Sequence, residues 1–453
     1  MQIPELYKIY LTHPSIQTDT RKLKKGDLFF ALKGPNFNGN LFALQALEQG
    51  AAYAIVDEII EVDGSSKSDN GAVNVDEVKT TEGDETVTDF KSRIILVDDA
   101  LATLQALAKY HRQQFKIPFI AITGSNGKTT SKELIYAVLS SHFKTYTTQG
   151  NLNNHIGVPL TILSIPVDAE MAVIEMGANH QKEIESYCAY TLPTHGVITN
   201  CGKAHLEGFG GIEGVRKGKG ELYDFIQANN GLAFIYADYD YLQPMSAGIQ
   251  QKVFYGETQG LVQGKVLSNE PFLEVAITEG LTIDRIHSQL VGDYNLPNIL
   301  CAATIGKFFG VPDSKIKSAI EAYAPSNSRS QLIVKESNHI ILDAYNANPT
   351  SMKAAIENFA HIQSEKKILM LGAMMEMGEA SLEEHKNLVS LIKNYQWEAV
   401  VLVGGDFKHI DHPFVYLDNA LQARDWFNQQ HFENAYILIK GSRSFKMESV
   451  ISQ

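Results

Sequence analysis

Residues 117–133, IPFIAITGSNGKTTSKE, constrain the fold of this chain more than any other stretch. Ile117 to Ile122 is apolar and β-prone, Gly124 and Gly127 permit a tight loop, and Lys128, Thr129 and Thr130 open a helix. A strand that turns through glycines into a helix aims backbone N–H groups and the positive helix end at an anion. A lysine at that point neutralises β/γ-phosphate charge, and the hydroxyl after it can hold Mg²⁺. Gly124, Ser125, Asn126, Gly127, Lys128, Thr129 and Thr130 are therefore the candidate phosphate cradle. The full spacing G-x-x-x-x-G-K-[ST] would need glycine at Ile122, so this is a shortened variant.

From Ile117 onward, apolar runs alternate with helical stretches, which implies an α/β fold with mostly parallel sheets. MAVIEMG (171–177) and HGVITNCG (195–202) have the form of buried strands whose C-terminal ends line a site. Glu175 closes the first and His205 follows the second. Alone, either would be an ordinary solvated side chain; beside a phosphate loop, an acid and an imidazole suit Mg²⁺ held against nucleotide phosphates. Residues 326–453 repeat the alternation, with HIILDA, KILMLG, AVVLVGG and AYILIKG as strands and AYNANPTS, AMMEMGEAS, GDF and SRSF as loops along one edge. None of these turns carries G-x-G-x-x-G, which weakens a nicotinamide-cofactor reading. Ahead of the phosphate loop, LFFALKG, LFALQALEQGA, YAIV, RIILVDD and ALATLQALAKYHRQQF form a smaller α/β unit, interrupted by a polar, acidic insertion over 57–92. Three domains are expected: 1–112, 113–325 with the phosphate loop, and a Rossmann-like 326–453.

A chain of 453 residues, 44% hydrophobic, has material for three such cores. Its net charge of −13 argues against a nucleic-acid partner. Much of that charge is local, since residues 57–90 hold eleven acids against Lys67 and Lys79, a net of −9. No apolar run is long enough to span a bilayer, so a cytoplasmic protein is expected. Cys188, Cys201 and Cys301 show neither paired nor metal-type spacing and read as buried thiols in a reducing compartment. Positive charge for a polyanionic substrate must be concentrated locally, with Lys128, Lys219, Arg329 and the KGSRSFK segment as candidates; alone, Lys440 and Arg443 would read as surface charges.

TGSNGKTT, GNLNNHIGVPLT (150–161), EMGANHQKEIE (175–185), ITNCGKAHLEGFG (198–210), KGKGELY (217–223), LPN (296–298), DAYNANPTSM (343–352), LGAMMEMGE (371–379) and KGSRSFKME (440–448), in this order, resemble the Mur ligase family. TDTRKLKKGDLFFALKG (18–34) extends the likeness to the N-terminal domain. YNANP and GNLNNHIG favour the members that add D-alanyl-D-alanine. The resemblance implies an N-terminal uridine-nucleotide domain, a central ATPase and a C-terminal domain that closes over the site. It implies ATP and Mg²⁺, with Lys128 on the β/γ-phosphates and Thr129 and Glu175 on one metal. His205 and Lys219, the latter as a carbamate, would serve a second metal and the γ-phosphate. Asn298 would meet adenine, Arg329 a phosphate and Asp343 the ribose. Asn151, Asn153, Asn154, Tyr345, Asn346 and Asn348 would face substrate, and Thr20 and Arg21 the uridine diphosphate. Lys219, read from VRKGKGELYDFI alone, would instead lie on a solvated basic face. Several positions depart from the family's pattern: Ser328 replaces the glycine before the arginine, Leu342 and Ala344 flank Asp343, Ala373 replaces an acid, and Asn38 and Asn40 stand where aspartate and histidine are usual.

The implied reaction accounts for the inventory. A carboxylate repels an attacking amine, so it is first phosphorylated by ATP; the amine then attacks the acyl phosphate and phosphate leaves. Positioning and charge neutralisation carry both steps, and no nucleophilic serine or cysteine constellation is needed. The expectation is a monomeric cytoplasmic ligase joining D-alanyl-D-alanine to UDP-N-acetylmuramoyl-tripeptide in peptidoglycan precursor synthesis. The alternatives are another Mur-type or folylpolyglutamate-type ligase, or a P-loop switch NTPase that makes no amide.

Overall fold

A computed structural model describes residues 1–59, 92–326 and 328–451, so all but the two ends of the acidic insertion lies outside the described residues. The chain divides into two units: Met1–Phe119 with Thr147–Ile174 and Ser186–Leu192, and Ile120–Tyr146 with Glu175–Glu185 and Pro193–Gln453.

In the first unit, strands Ile16–Gln17, Leu28–Phe30, Tyr53–Val56 and Ile94–Leu96 pair in parallel in that order. Leu28, Phe29 and Phe30 are all buried, as a parallel strand covered on both faces requires. Helix Ala100–Arg112 starts where Asp99 accepts a hydrogen bond from the Ala102 N–H at 2.7 Å. It ends at a buried arginine. The Arg112 guanidinium donates to the carbonyls of Phe115, Thr191 and Leu192 and lies 3.8 Å from the Phe119 ring centroid, so three carbonyls and a ring face hold its charge.

In the second unit, strands Gln251–Tyr255, Leu232–Tyr236, His195–Ile198 and Phe119–Thr123 are consecutive and parallel. Helix Lys128–Ser140 follows the last of them directly, as the GKTT pattern leads one to expect. Beyond the end of strand Met171–Glu175, the Met176 N–H donates to Ile122 O at 2.8 Å, and Thr123 Oγ1 donates to Met176 O at 2.9 Å. These bonds fix Glu175 beside the start of the phosphate loop. A three-stranded antiparallel sheet, Gln263–Ser268, Glu274–Glu279 and Arg285–His287, lies later in the chain and was not anticipated.

The C-terminal part of this unit is a six-stranded sheet. Its order is Gln331–Lys335, Asn338–Asp343, Tyr436–Lys440, Lys367–Gly372, Ala399–Val403 and Val415–Leu417. The four anticipated strands are its parallel centre; the antiparallel edge at 331–335 and the short edge at 415–417 complete it. Alternate residues serve opposite cores: Ile341, Leu369, Leu371, Leu402 and Leu438 on one face, Ile340, Met370, Val401, Ile437 and Ile439 on the other. Because the central strands run the same way, the loops after Asp343, Gly372, Val403 and Lys440 leave one edge together. Cys188, Cys201 and Cys301 are all buried thiols. Among the described residues, no helix is long and apolar enough to cross a membrane.

Candidate active site

The phosphate loop is built on two glycines that no other residue could replace cheaply. Gly124 has φ +143, and a Cβ there would meet Thr199 Oγ1 at 2.0 Å; Gly127 has φ +78, and a Cβ would meet Asn298 Oδ1 at 2.6 Å. The loop is clamped from the strand end at Ile198. The Ser125 N–H donates to Asn200 O at 2.9 Å and the Asn126 N–H to Asn200 Oδ1 at 3.0 Å. The side chains of Thr199 and Asn200 in turn donate to Asn126 O at 2.6 and 3.0 Å, and Ser125 Oγ donates to Gly202 O at 2.8 Å. Thr199 and Asn200 carried no role in the sequence reading. The signal available for them was their position, small polar residues directly after a buried strand.

Lys128 lies across the loop it belongs to, its Nζ donating to Gly124 O at 2.6 Å and Ser125 O at 3.1 Å. Burial lowers its pKa to about 8, Glu175 opposes that shift, and nearby Arg329 adds to it. Thr129 and Glu175 are buried, and the hydroxyl donates to Glu175 Oε2 at 2.9 Å. Two hard oxygen donors at the mouth of a phosphate loop fit Mg²⁺, which takes one or two protein ligands and leaves the rest to phosphate and water. Among the described residues, no group of three or more His, Cys, Asp or Glu side chains gathers into a metal cage. Asn298 sits under Gly127 with its amide engaged, accepting from Ser131 Oγ at 2.9 Å and donating to Asn295 Oδ1 at 2.8 Å.

Lys219 corrects the solvated-face reading of its segment. In helix Ile212–Ala228, Lys217 is exposed but Lys219 is 1% exposed. The spacing explains this, because Lys219 falls on the same helical stripe as buried Val215, Leu222 and Ile226. Its Nζ donates to Ala178 O at 3.0 Å and lies 4.8 Å from the Phe209 ring centroid. Burial and then the neighbouring Lys128 lower its pKa to about 7. His205, at the N-terminus of helix Leu206–Phe209, meets Glu376 rather than Lys219: Nδ1 lies 2.5 Å from Glu376 Oε2.

Loops of the C-terminal sheet complete this part of the site. Asn348 caps helix Pro349–His361, accepting from the Ser351 N–H at 2.9 Å, while its Nδ2 donates to Asn126 Oδ1 at 2.7 Å. Lys203 Nζ meets Glu384 at 2.5 Å, and its N–H donates to Thr350 Oγ1 at 2.9 Å. Asp343 accepts from the Ser330 N–H at 3.1 Å and pairs with Lys440 Nζ at 2.5 Å. The Arg329 guanidinium carbon lies 3.7 Å from the Tyr345 ring centroid and that of Arg443 lies 5.1 Å away. Asn346 is exposed, and its carbonyl accepts from Lys440 at 3.3 Å.

The remaining expected residues belong to the first unit. Arg21 is exposed and forms a two-point pair with Asp19, both N···O distances 2.8 Å. Asp19 also precedes the short helix Thr20–Lys22 and accepts from the Arg21 N–H at 3.1 Å. Asn151 and Asn153 are joined through a backbone bond of 2.8 Å, and Asn154 Oδ1 accepts from the N–H groups of Ile156 and Gly157.

Three domain models match along the chain: "Mur ligase family, catalytic domain" over 14–112, "Mur ligase middle domain" over 122–306, and "Mur ligase, glutamate ligase domain" over 328–443. The UDP-N-acetylmuramoyl-tripeptide–D-alanyl-D-alanine ligase of Bacillus subtilis is 32% identical, with 99% of this chain and 96% of the relative covered. This chain belongs to the Mur ligase family. Solved Mur ligases agree with the fold. MurF from Acinetobacter baumannii superposes with a TM-score of 0.81 at 28% identity, covering 97% of this chain and 92% of that one. The MurF ligase of Thermotoga maritima, solved in complex with ADP, has a TM-score of 0.81 at 25% identity and 97% coverage of each chain. For a Mur ligase, the departures at Leu342, Ala344 and Ala373 have a simple correlate: all three are buried, at 5%, 2% and 0% exposure, where an acid or hydroxyl would need a partner. Asn40 is also buried, its amide donating to Asp57 Oδ1 at 2.8 Å and Asn38 Oδ1 at 2.9 Å.

Proposed function

We propose that the chain is an ATP-dependent carboxylate–amine ligase that joins D-alanyl-D-alanine to UDP-N-acetylmuramoyl-tripeptide in peptidoglycan precursor synthesis. The observation that carries this reading is the buried Thr129–Glu175 contact beside Lys128, in a chain similar over its full length to ligases of that name. The three matched segments support the reading of 1–112, 113–325 and 326–453 as uridine-nucleotide, ATP and ligase domains. On this reading the reaction, which draws on ATP and a nucleotide-linked substrate, is cytoplasmic, and the enzyme is a monomer.

On this reading, the loop amides from Gly124 to Lys128 cradle the ATP phosphates, and Lys128 turns its ammonium from the loop carbonyls to the β/γ-phosphates. Thr129 and Glu175 would hold Mg²⁺, which when bound neutralises phosphate charge. Arg329 supplies further positive charge as the γ-phosphoryl group passes to the substrate carboxylate. The amine of the dipeptide then attacks the acyl carbonyl and phosphate departs. Asn298 supports the loop below the nucleotide, and Asp343 positions the Tyr345–Asn348 loop through Lys440. Thr20, Arg21, Asn151, Asn153 and Asn154 serve the nucleotide-peptide.

Lys219 has the properties a carbamate needs. Its amine is buried and shifted toward neutrality, and CO₂ adds only to a neutral amine. The carbamate would turn a cation that offers no lone pair into an oxygen donor near the phosphates. Phosphate release tests the assignment. A panel of amino acids and D-alanyl-D-alanine, each with UDP-N-acetylmuramoyl-tripeptide and ATP, should give rapid release with the D-alanyl dipeptide alone. A preference for glutamate would mark a folylpolyglutamate-type ligase, and slow release with neither co-substrate present would mark a switch NTPase.

A further inference from the structure

The cations around Tyr345 are not equivalent. Lys440 is 2% exposed and is neutralised by Asp343. Arg329 stacks on Tyr345, three residues before Asn348, whose side chain bonds Asn126 of the phosphate loop at 2.7 Å, so Arg329 stands at the phosphate end of the site. Arg443 is exposed, sits over the same Tyr345 ring, and has no ion pair among the described residues. It is one aromatic ring away from Arg329, and its guanidinium fork is unspent.

Its mounting is rigid. Arg443 opens the short helix Arg443–Phe445, directly after buried strand Tyr436–Lys440. Ser442 anchors that turn, its Oγ donating to Ala373 O at 2.7 Å, and Phe445 packs against both cores of the C-terminal sheet. A guanidinium on such a base gives up little freedom on binding.

The acceptor's chemistry states what is missing. When its amine is deprotonated for attack, D-alanyl-D-alanine carries one charge, the terminal carboxylate. A planar carboxylate is matched best by a guanidinium that offers two parallel N–H donors. We propose that Arg443 receives the terminal carboxylate of the incoming dipeptide and so makes the enzyme select a free-acid acceptor. This rests on the ligase reading and adds a specificity-determining residue to it.

The test compares D-alanyl-D-alanine with D-alanyl-D-alaninamide, which keeps the amine and both methyl groups but lacks the charge. Wild type should favour the acid in kcat/KM by about 30-fold, the size of a hydrogen-bonded charge interaction. Arg443→Met should raise KM for the acid by about that factor, leave KM for ATP and the nucleotide-peptide within about two-fold, and level the acid and amide. Arg443→Lys should fall between, because an ammonium keeps the charge without the fork. Thermal melting of each variant reports on folding. The inference is overturned if wild type does not distinguish acid from amide, or if folded Arg443→Met still does. Absence of phosphate release by wild type with D-alanyl-D-alanine would instead reject the ligase reading, and the inference with it.

Discussion

Glu376 sets its Oε2 2.5 Å from Nδ1 of His205, and both residues hold left-handed backbone, with φ of 61° and 51°. Such conformations are costly for non-glycine residues and persist where surrounding contacts enforce them. The Glu207 N–H adds a backbone bond to Glu376 O at 3.3 Å, so two loops distant in sequence meet through these residues. The His205 ring holds the Glu376 carboxyl below its usual range. A carboxylate this close to Nδ1 favours one orientation of the imidazole, with Nε2 on the other side of the ring. Glu376→Ala should therefore lower kcat by about 10-fold with little change in melting temperature, and Glu376→Gln should lower it less. Unaltered kcat in Glu376→Ala would make the contact incidental.

Lys128→Ala should fold normally, since the lysine's hydrogen bonds are confined to its own loop, yet lose at least about 10²-fold in turnover. Circular dichroism and steady-state phosphate release decide it. Near-normal turnover in the folded variant would remove Lys128 from the phosphate site.

Lys219 predicts a pH dependence whose sign follows from burial. The folded-state pKa of about 7 lies below the usual 10.5, so the folded protein sheds this proton across a range in which the unfolded chain keeps it. The associated stability is complete above pH 10.5, declines as pH falls toward 7, and is level below that. Carbamate formation should rise as pH increases through about 7, visible as a ¹³C signal from labelled bicarbonate that is missing in Lys219→Ala. A signal that grows only near pH 10 would show an ordinary exposed lysine. Acetate should restore part of the activity of Lys219→Ala and none of that of Lys128→Ala.

Ser328, at the position where family members carry glycine, has φ +57. A left-handed serine is disfavoured, whereas glycine adopts this conformation without a Cβ clash. Ser328→Gly should stabilise the protein by about 0.5–1 kcal/mol, after allowing for the greater freedom glycine has when unfolded. Denaturant unfolding measures this, and a loss of stability would show that the serine side chain holds the turn before Arg329.

The strands were legible because parallel strands buried on both faces leave uninterrupted apolar runs, as in FIAIT, LMLG and ILIK. The phosphate loop was legible because its geometry demands glycine at two points. The burial of Lys219 was also within reach, through its spacing from Val215 and Leu222, but the adjacent cations Arg216 and Lys217 obscured the stripe. The clamp by Asn200 and the His205–Glu376 pair were not legible. Both join residues far apart in sequence, and no local pattern marks a polar side chain whose partner arrives from another loop.

Asn348 is asked for opposite things by its two neighbours. The start of helix Pro349–His361 needs an acceptor from it, and Asn126 Oδ1 needs a donor. Aspartate or serine would satisfy the helix, yet an ionised aspartate has no hydrogen to offer Asn126, and serine is too short to span both. Glutamine has both functions but one methylene too many for the cap. A single position thus serves a helix start and a loop contact at once, and the asparagine amide offers the acceptor one uses and the donor the other uses.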